Sequence, residues 1–416
     1  MTSGRLRVLL FAEAVTLAHV ARVIALARQL DASRYEVIVA CDPRAERFLK
    51  DEPFRQVALS SIPSADFARA LARGAPVYDE ATLEAYVNQD LQLIDEIQPD
   101  LVVGDFRLSL SASARLAGVP FLAIVNAYWC SGWQGGFPLP VLPATRWLPL
   151  ALVDSVFRVA LPFALARHCV PLNRVRAQRG LPSLGSDLRT VYSDADQVLV
   201  ADAAAMFPLR PLPLHVSYIG PLLWSPNVKP PSWWHSLPAG RPIVYVTLGS
   251  SGHVALLPRI LTALSTLPVT VIVSTAGQAL NYPLPDGMHQ ADYLPGAEAT
   301  ARARLLICNG GSLTTQQALL AGVPILGIAA NMDQFMSMAP VVEQGAGLLL
   351  RADRLSELTV RTAARSLLED PDAAAASRRL GGILAAGPDA AQVFDQAVER
   401  LLSGAPRTQH SMSGQK

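Results

Sequence analysis

The chain has 416 residues, 51% apolar and 17% charged, which excludes a disordered or coiled-coil protein and leaves room for two or three domains with cores of their own. Thirty-five lysines and arginines against 34 acids give a formal net charge of +1. No excess exists to grip a polyanion, so nucleic acid is not an expected partner.

Residues 7–11 (Arg-Val-Leu-Leu-Phe) read as a buried strand. Val20, Val23, Ile24, Ala27 and Leu30 then recur three and four apart, one face of a helix. Residues 35–40 read as a second strand and 80–97 as a long helix, with further strands at 101–103 and 121–125. Strands alternating with helices predict parallel βαβ units whose sheet is covered on both faces. Residues 128–179 break this rhythm, with Trp129, Trp133, Phe137, Trp147 and Phe157 among prolines and glycines, followed by a long apolar helical stretch. Residues 209–240 are dense in proline and read as an interdomain linker. The alternation restarts with strands at 243–248, 269–274, 305–308 and 325–328, and an amphipathic helix covers 389–402. Pro340 should kink or shorten the helix that holds it.

The expected architecture is α/β: two Rossmann-like domains facing each other across a cleft. The N-terminal domain spans 1–208 and the C-terminal domain 241–386. A terminal helix at 387–402 should pack back on the N-terminal domain, and 403–416 reads as a disordered polar tail. Ligands of such folds sit beyond the carboxyl ends of the strands.

The four cysteines (Cys41, Cys130, Cys169, Cys308) form no CxxC pair and read as buried free thiols of a reducing compartment. Glu13 interrupts the first apolar run early, against a signal peptide. Residues 147–166 are the most apolar long window, but Asp154, Arg158, Pro149 and Pro162 argue against a span. A cytoplasmic location is expected, and a helix resting on a membrane surface stays open.

The densest chemistry follows the strand at 305–308. Asn309-Gly310-Gly311-Ser312-Leu313-Thr314 leads into a helix, where glycines admit a phosphate close to the backbone and the helix N-terminus offers N–H donors. Tyr293-Leu294-Pro295 precedes this turn; Gly322-Val-Pro324 and Asp333-Gln334 follow it. The set resembles the donor-binding signature of the family 1 glycosyltransferases, which include UDP-glycosyltransferases and macrolide glycosyltransferases. The resemblance implies the GT-B fold and transfer, with inversion, of a sugar from a UDP- or dTDP-sugar to an acceptor hydroxyl. It also implies that Tyr293 stacks on the donor base and Leu294 bonds it through the backbone. Ser250, Asn309, Gly310, Gly311, Ser312 and Thr314 would hold the diphosphate, while Asp333 and Gln334 would bond sugar hydroxyls. Core packing for Tyr293 and helix capping for Asp333 are the structural alternatives.

Three positions depart from the family pattern: Asn309 stands for histidine, Gln317 for the glutamate that chelates ribose, and Gly296 for glutamine. Gln317 fits a donor lacking the ribose 2′-hydroxyl, such as a dTDP-sugar, yet an amide can also bond a ribose, so the donor stays open.

At the other end of the chain, Thr16-Leu-Ala-His19-Val-Ala-Arg22 opens the first helix. The family has Gly-His-x-x-Pro here, with Ala18 and Arg22 now replacing glycine and proline. His19 would deprotonate the acceptor, since a helix N-terminus disfavours the imidazolium and leaves the ring able to take a proton. Asp105, ending the strand at 101–103, would orient it as a His–Asp dyad; its alternative role is a helix cap. Trp129, Trp133 and Phe137 would line a pocket for an apolar acceptor, a polyketide, terpenoid, phenolic or lipid hydroxyl, or else pack the domain. Asp194-Ala-Asp196 mimics a metal-binding DxD, but no histidine or cysteine spacing suits a metal. Neither metal nor cofactor is expected beyond the nucleotide-sugar co-substrate. A nucleotide-sugar epimerase, a lipid-intermediate sugar transferase and a non-catalytic sugar-nucleotide-binding activator are the competing functions. Oligomeric state is not legible.

Overall fold

The computed structural model describes residues 4–250, 252–280 and 282–403; most of the segment read as a tail, 404–416, lies outside them. Strands β1 (Leu6–Ala12), β2 (Tyr35–Cys41), β3 (Arg55–Ala58), β4 (Leu101–Asp105), β5 (Phe121–Val125), β6 (Gln197–Val200) and β7 (Val216–Tyr218) form one sheet in the order β3-β2-β1-β4-β5-β6-β7. Strands β8 (Ile243–Thr247), β9 (Thr270–Ser274), β10 (Met288–Ala291), β11 (Leu305–Cys308), β12 (Ile325–Ala329) and β13 (Gly347–Arg351) form a second, ordered β10-β9-β8-β11-β12-β13. Every pairing is parallel. This is the GT-B arrangement of two α/β domains. The central strands are buried on both faces, which is why they read as unbroken apolar runs.

Five strands go beyond the sequence expectations: β6, which lies inside the first sheet between β5 and β7, and β3, β7, β10 and β13, which are the four sheet edges. An edge strand has one neighbour, so short half-exposed segments such as Arg-Gln-Val-Ala and Met-His-Gln-Ala serve without an apolar run. One of them corrects the domain boundaries: Val216–Tyr218, inside the segment read as linker, belongs to the first sheet beside β6. The flanking prolines that suggested a linker are tolerated at a sheet edge.

The helix Ala390–Leu402 lies against the first sheet. Phe394, Ala397 and Val398 enter the same core cluster as Val8, Leu10 and Val39, and Tyr35 donates to Asp395 at 2.6 Å. The helix Met332–Glu343 carries Pro340 inside it and ends three residues later. The 29-residue helix Leu150–Gln178 holds Pro162 and Pro171. No described helix is long and apolar enough to cross a membrane.

The irregular segment before that long helix clasps the second domain. Val141 N–H donates to Ala330 O at 2.7 Å, Arg351 donates to Leu139 O and Pro140 O at 2.7 and 2.9 Å, and Arg354 reaches Thr145 O and Leu148 O. The carboxyl ends of both sheets therefore close on a shared gap.

Candidate active site

Helix Leu17–Ala27 leaves the end of β1 and buries Val20, Val23, Ile24 and Ala27 against the sheet. His19 stands in its first turn. The imidazole Nδ1 lies 2.8 Å from Oδ1 of Asp105, the last residue of β4, whose carboxylate is fully buried. Two groups meet this nitrogen: the carboxylate, which can only accept, and Arg22 Nη2 at 3.0 Å, which can only donate, so the proton position depends on which of them Nδ1 pairs with. Phe106 follows with φ +59°, a strained left-handed conformation for a bulky residue. That twist lays its ring parallel to the imidazole, with centroids 4.9 Å apart.

Arg22 ties this pair down. It donates through Nε to Asp105 Oδ2 at 2.7 Å, through Nη2 to Oδ1 at 2.8 Å, and through Nη1 to Asn126 Oδ1 at 2.7 Å. Burial works to discharge the guanidinium, but Asp105 outweighs it and holds the group more firmly protonated than usual. Asn126 donates to both oxygens of Asp202 at 3.1 Å, and Ala127 N–H to one of them at 2.7 Å. Across the gap, Gln316 donates to Asp202 Oδ1 and to Ala201 O, each at 2.9 Å. A buried polar chain thus runs from His19 through Asp105, Arg22, Asn126 and Asp202 to the second domain. Burial raises Asp202 to about 6, against the lowering by the Ala127 and Asn126 donors.

The helix that carries Gln316, Ser312–Leu320, begins at the glycine turn after β11. Its N-cap is Gly311, and no side chain caps it. Gly310 has φ +82°, and a Cβ there would meet Met338 Cγ at 2.8 Å, so only glycine makes this turn. Asn309 is buried and accepts from Gly311 N–H at 3.2 Å; Ser312 and Thr314 are half-buried. Ser250, after β8, accepts from Leu17 N–H at 3.0 Å. The amide belongs to the residue two before His19, so the turns of the two domains touch beside the imidazole.

Other residues expected on the donor side are partly committed. Tyr293 donates to Ala276 O at 2.8 Å, accepts from Arg47 at 2.6 Å, and has the Arg47 guanidinium 4.9 Å from its ring centroid. Leu294 is buried. Gln317 donates to Ser225 Oγ at 2.8 Å, from the chain between the domains. Asn331, not Asp333, caps the helix Met332–Glu343 in a capping box with Gln334. Gln334 Oε1 accepts from Asn331 N–H at 3.3 Å within that box and from Ala330 N–H at 2.8 Å beside it, and the residue is buried. Asp333 Oδ1 accepts from Trp129 Nε1 at 3.0 Å.

Among the aromatics, Trp129 packs on Tyr192 and Phe137 with centroids 5.1 and 5.9 Å apart, and Tyr192 packs on Phe106 at 5.4 Å. A continuous ring wall therefore connects His19 to Trp129 and on to Asp333. Trp133 is not part of it. It packs on Phe207 and pairs with Leu209, toward the interdomain connection. Asp194 pairs with Arg115 and Asp196 accepts from Phe121 N–H; no cluster fit to hold a metal occurs among the described residues.

A family model for the C-terminal domain of erythromycin biosynthesis protein CIII-like proteins matches residues 258–400. A PGL/p-HBAD biosynthesis glycosyltransferase of Mycobacterium tuberculosis is 48% identical over 398 residues, 96% of this chain and 92% of that protein. A PGL/p-HBAD biosynthesis rhamnosyltransferase of Mycobacterium bovis is 49% identical over 402 residues, 97% and 89% of the two chains. The chain belongs to the family 1 glycosyltransferases. Among solved structures, spinosyn forosaminyltransferase superposes on this glycosyltransferase with TM-score 0.70 and 20% identity, over 96% of this chain and 100% of that one. A spinosyn rhamnosyltransferase complexed with thymidine diphosphate gives 0.67 and 17%, over 94% and 99%. At such identities the likeness is one of fold.

Sequence reasoning on the glycosyltransferase missed Phe106, Asn126, Asp202 and Gln316 as members of the site, and named Arg22 merely as a departure from the family. A signal existed for three of them. Asp105 ends β4, Asn126 follows β5 and Asp202 lies two residues past β6. Polar residues at successive carboxyl strand ends converge on one crevice. Arg22 lies three residues after His19, on the same helix face.

Proposed function

We propose that this glycosyltransferase moves a sugar, a deoxyhexose such as rhamnose as first candidate, from a thymidine or uridine diphosphate carrier to the hydroxyl of an apolar acceptor. The observation that carries the reading is the His19–Asp105 contact of 2.8 Å, two residues beyond the Leu17–Ser250 bond that joins the two lobes. In the step, the acceptor oxygen attacks the anomeric carbon as its proton passes to His19 Nε2. The bond from that carbon to the diphosphate oxygen breaks, and inversion follows from a single in-line displacement. Asp105 steadies the imidazolium that forms. The uncapped N–H groups at Ser312–Leu320 and the Ser312 and Thr314 hydroxyls take up the charge of the departing diphosphate, so the reaction calls on no metal.

A rhamnosyltransferase among the relatives and a thymidine diphosphate complex among the structural neighbours favour a thymidine-linked deoxysugar. Gln317, drawn toward Ser225, supports the same preference. The ring wall of Phe106, Tyr192, Trp129 and Phe137 supports an acceptor with an aromatic or aliphatic body. Melting the protein with dTDP, UDP and GDP tests the donor, since a ligand of the native state raises Tm. Incubation of dTDP-rhamnose with an alkylphenol, followed by mass and NMR analysis of the product, tests the reaction. Conversion of the nucleotide sugar without acceptor would make the protein an epimerase, and no shift with any nucleotide would remove the donor site.

A further inference from the structure

The helix Leu150–Gln178 is apolar on two opposite sides. Its inner side buries Val153, Cys169, Leu172 and Val175, the last three in the cluster that also holds Phe106, Trp129 and Tyr192. Its outer side exposes Leu152, Val156, Val159, Phe163 and Val170, with Val159 73% and Phe163 77% exposed, and Trp147 just ahead of the helix is 86% exposed. At 100° per residue the five helical positions fall within an arc of about 60° and run about 27 Å along the axis. A helix buried in a soluble core needs no such second stripe.

The charges near the stripe are mostly basic. From Arg146 to Gln178 the sequence has five arginines, of which Arg176 is buried, and a single acid, Asp154. Asp154 is already paired with Arg158 at 2.7 Å. Arg167 and Arg174 border a shallow groove of about 570 Å³ floored by Phe163, Ala166 and Val170, and Arg174 lies 3.5 Å from Glu80. The chain as a whole is nearly neutral, so this is local basicity around an apolar ridge.

We propose that this outer face docks the enzyme on an anionic phospholipid bilayer, with Trp147, Val159 and Phe163 in the headgroup–acyl boundary and Arg167 and Arg174 on lipid phosphates. An amphipathic surface with basic flanks and a tryptophan at its edge binds such interfaces through apolar area and charge together. The docking stands apart from the sugar-transfer reading above, since its assay measures adsorption and not turnover. The inner side of the same helix, against the ring wall, would then bring the acceptor pocket close to the lipid surface.

Cosedimentation of the full chain with phosphatidylglycerol-containing vesicles tests this. Adsorption is expected at low salt, falling at high salt as the charges are screened, and far weaker on pure phosphatidylcholine. The double substitution V159E/F163E should lower partitioning about tenfold or more, while Tm and nucleotide binding stay as in the parent. Charge reversal in R167E/R174E should reproduce the loss on anionic vesicles alone. Equal adsorption to neutral and anionic vesicles, no adsorption of the parent, or undiminished adsorption of V159E/F163E each overturns the proposal. So does a parent dimer in ultracentrifugation that V159E/F163E dissociates, since a second copy would then be what covers the face.

Discussion

Arg22 grips both oxygens of Asp105, three residues after the histidine that leans on the same carboxylate. With Asp105 fully buried and Arg22 nearly so, the pair is an ion pair in a low dielectric, where losing one partner strands the other. Arg22→Met should therefore destabilise the fold by about 3–5 kcal/mol, read from urea unfolding midpoints. A cost under about 1 kcal/mol, the scale of an exposed pair, would mean that water reaches Asp105.

His19→Ala should cut transfer by about 10²–10⁴-fold, the range for a positioned base, and leave nucleotide affinity as it was. Asp105→Asn should approach the same loss by a different route. An amide can donate to Nδ1, which would place the ring proton on Nε2 and block that nitrogen as acceptor. The double variant should be little worse than His19→Ala, because groups acting as one unit are not additive. Steady-state kcat together with nucleotide titration calorimetry separates these outcomes, and unchanged turnover in His19→Ala would remove it from the mechanism.

Gly310→Ala should damage the donor site specifically. Its φ of +82° and the 2.8 Å approach of a new Cβ to Met338 Cγ, with Gln334 O at 3.1 Å, force the turn to move. The left-handed conformation alone costs about 1–2 kcal/mol for a residue with a Cβ. The expected readings are a lowered Tm and a smaller thermal shift with nucleoside diphosphate than the parent gives.

Asp202 makes stability depend on pH. Burial raises its folded value from 3.8 to about 6, despite donors that favour the carboxylate. Between about pH 4 and 6 the folded state keeps a proton that the unfolded chain has released, so this group's contribution falls as pH rises through that window. The loss is complete above it. Asp202→Asn should flatten the difference in urea stability between pH 4.5 and 7 by on the order of 2 kcal/mol. An identical pH difference in parent and variant would refute the assignment.

Much of the fold was legible because the central strands are buried on both faces and spelled as apolar runs, while helices such as Leu17–Ala27 repeat at three and four. The four edge strands were not, since one-sided pairing asks little of composition. The glycine turn after β11 was legible from Gly310-Gly311-Ser312, where backbone geometry restricts residue choice. Arg47 on Tyr293 and Trp129 on Asp333 were not, because both contacts join positions more than 200 residues apart.

Local order alone determined the alternation of elements, the two-domain plan, the position of His19 at a helix start and of Asp105 at a strand end. Residue periodicity and turn chemistry are short-range properties, so one chain read in order suffices for them. Tertiary packing decided that Arg22 takes both oxygens of Asp105, that Asp202 is shared by two domains, that Trp133 turns away from the ring wall, and that one helix shows an apolar ridge to the outside. Each depends on which surfaces meet in space. A stripe of leucine, valine and phenylalanine reads the same along the chain whether a core covers it or nothing does.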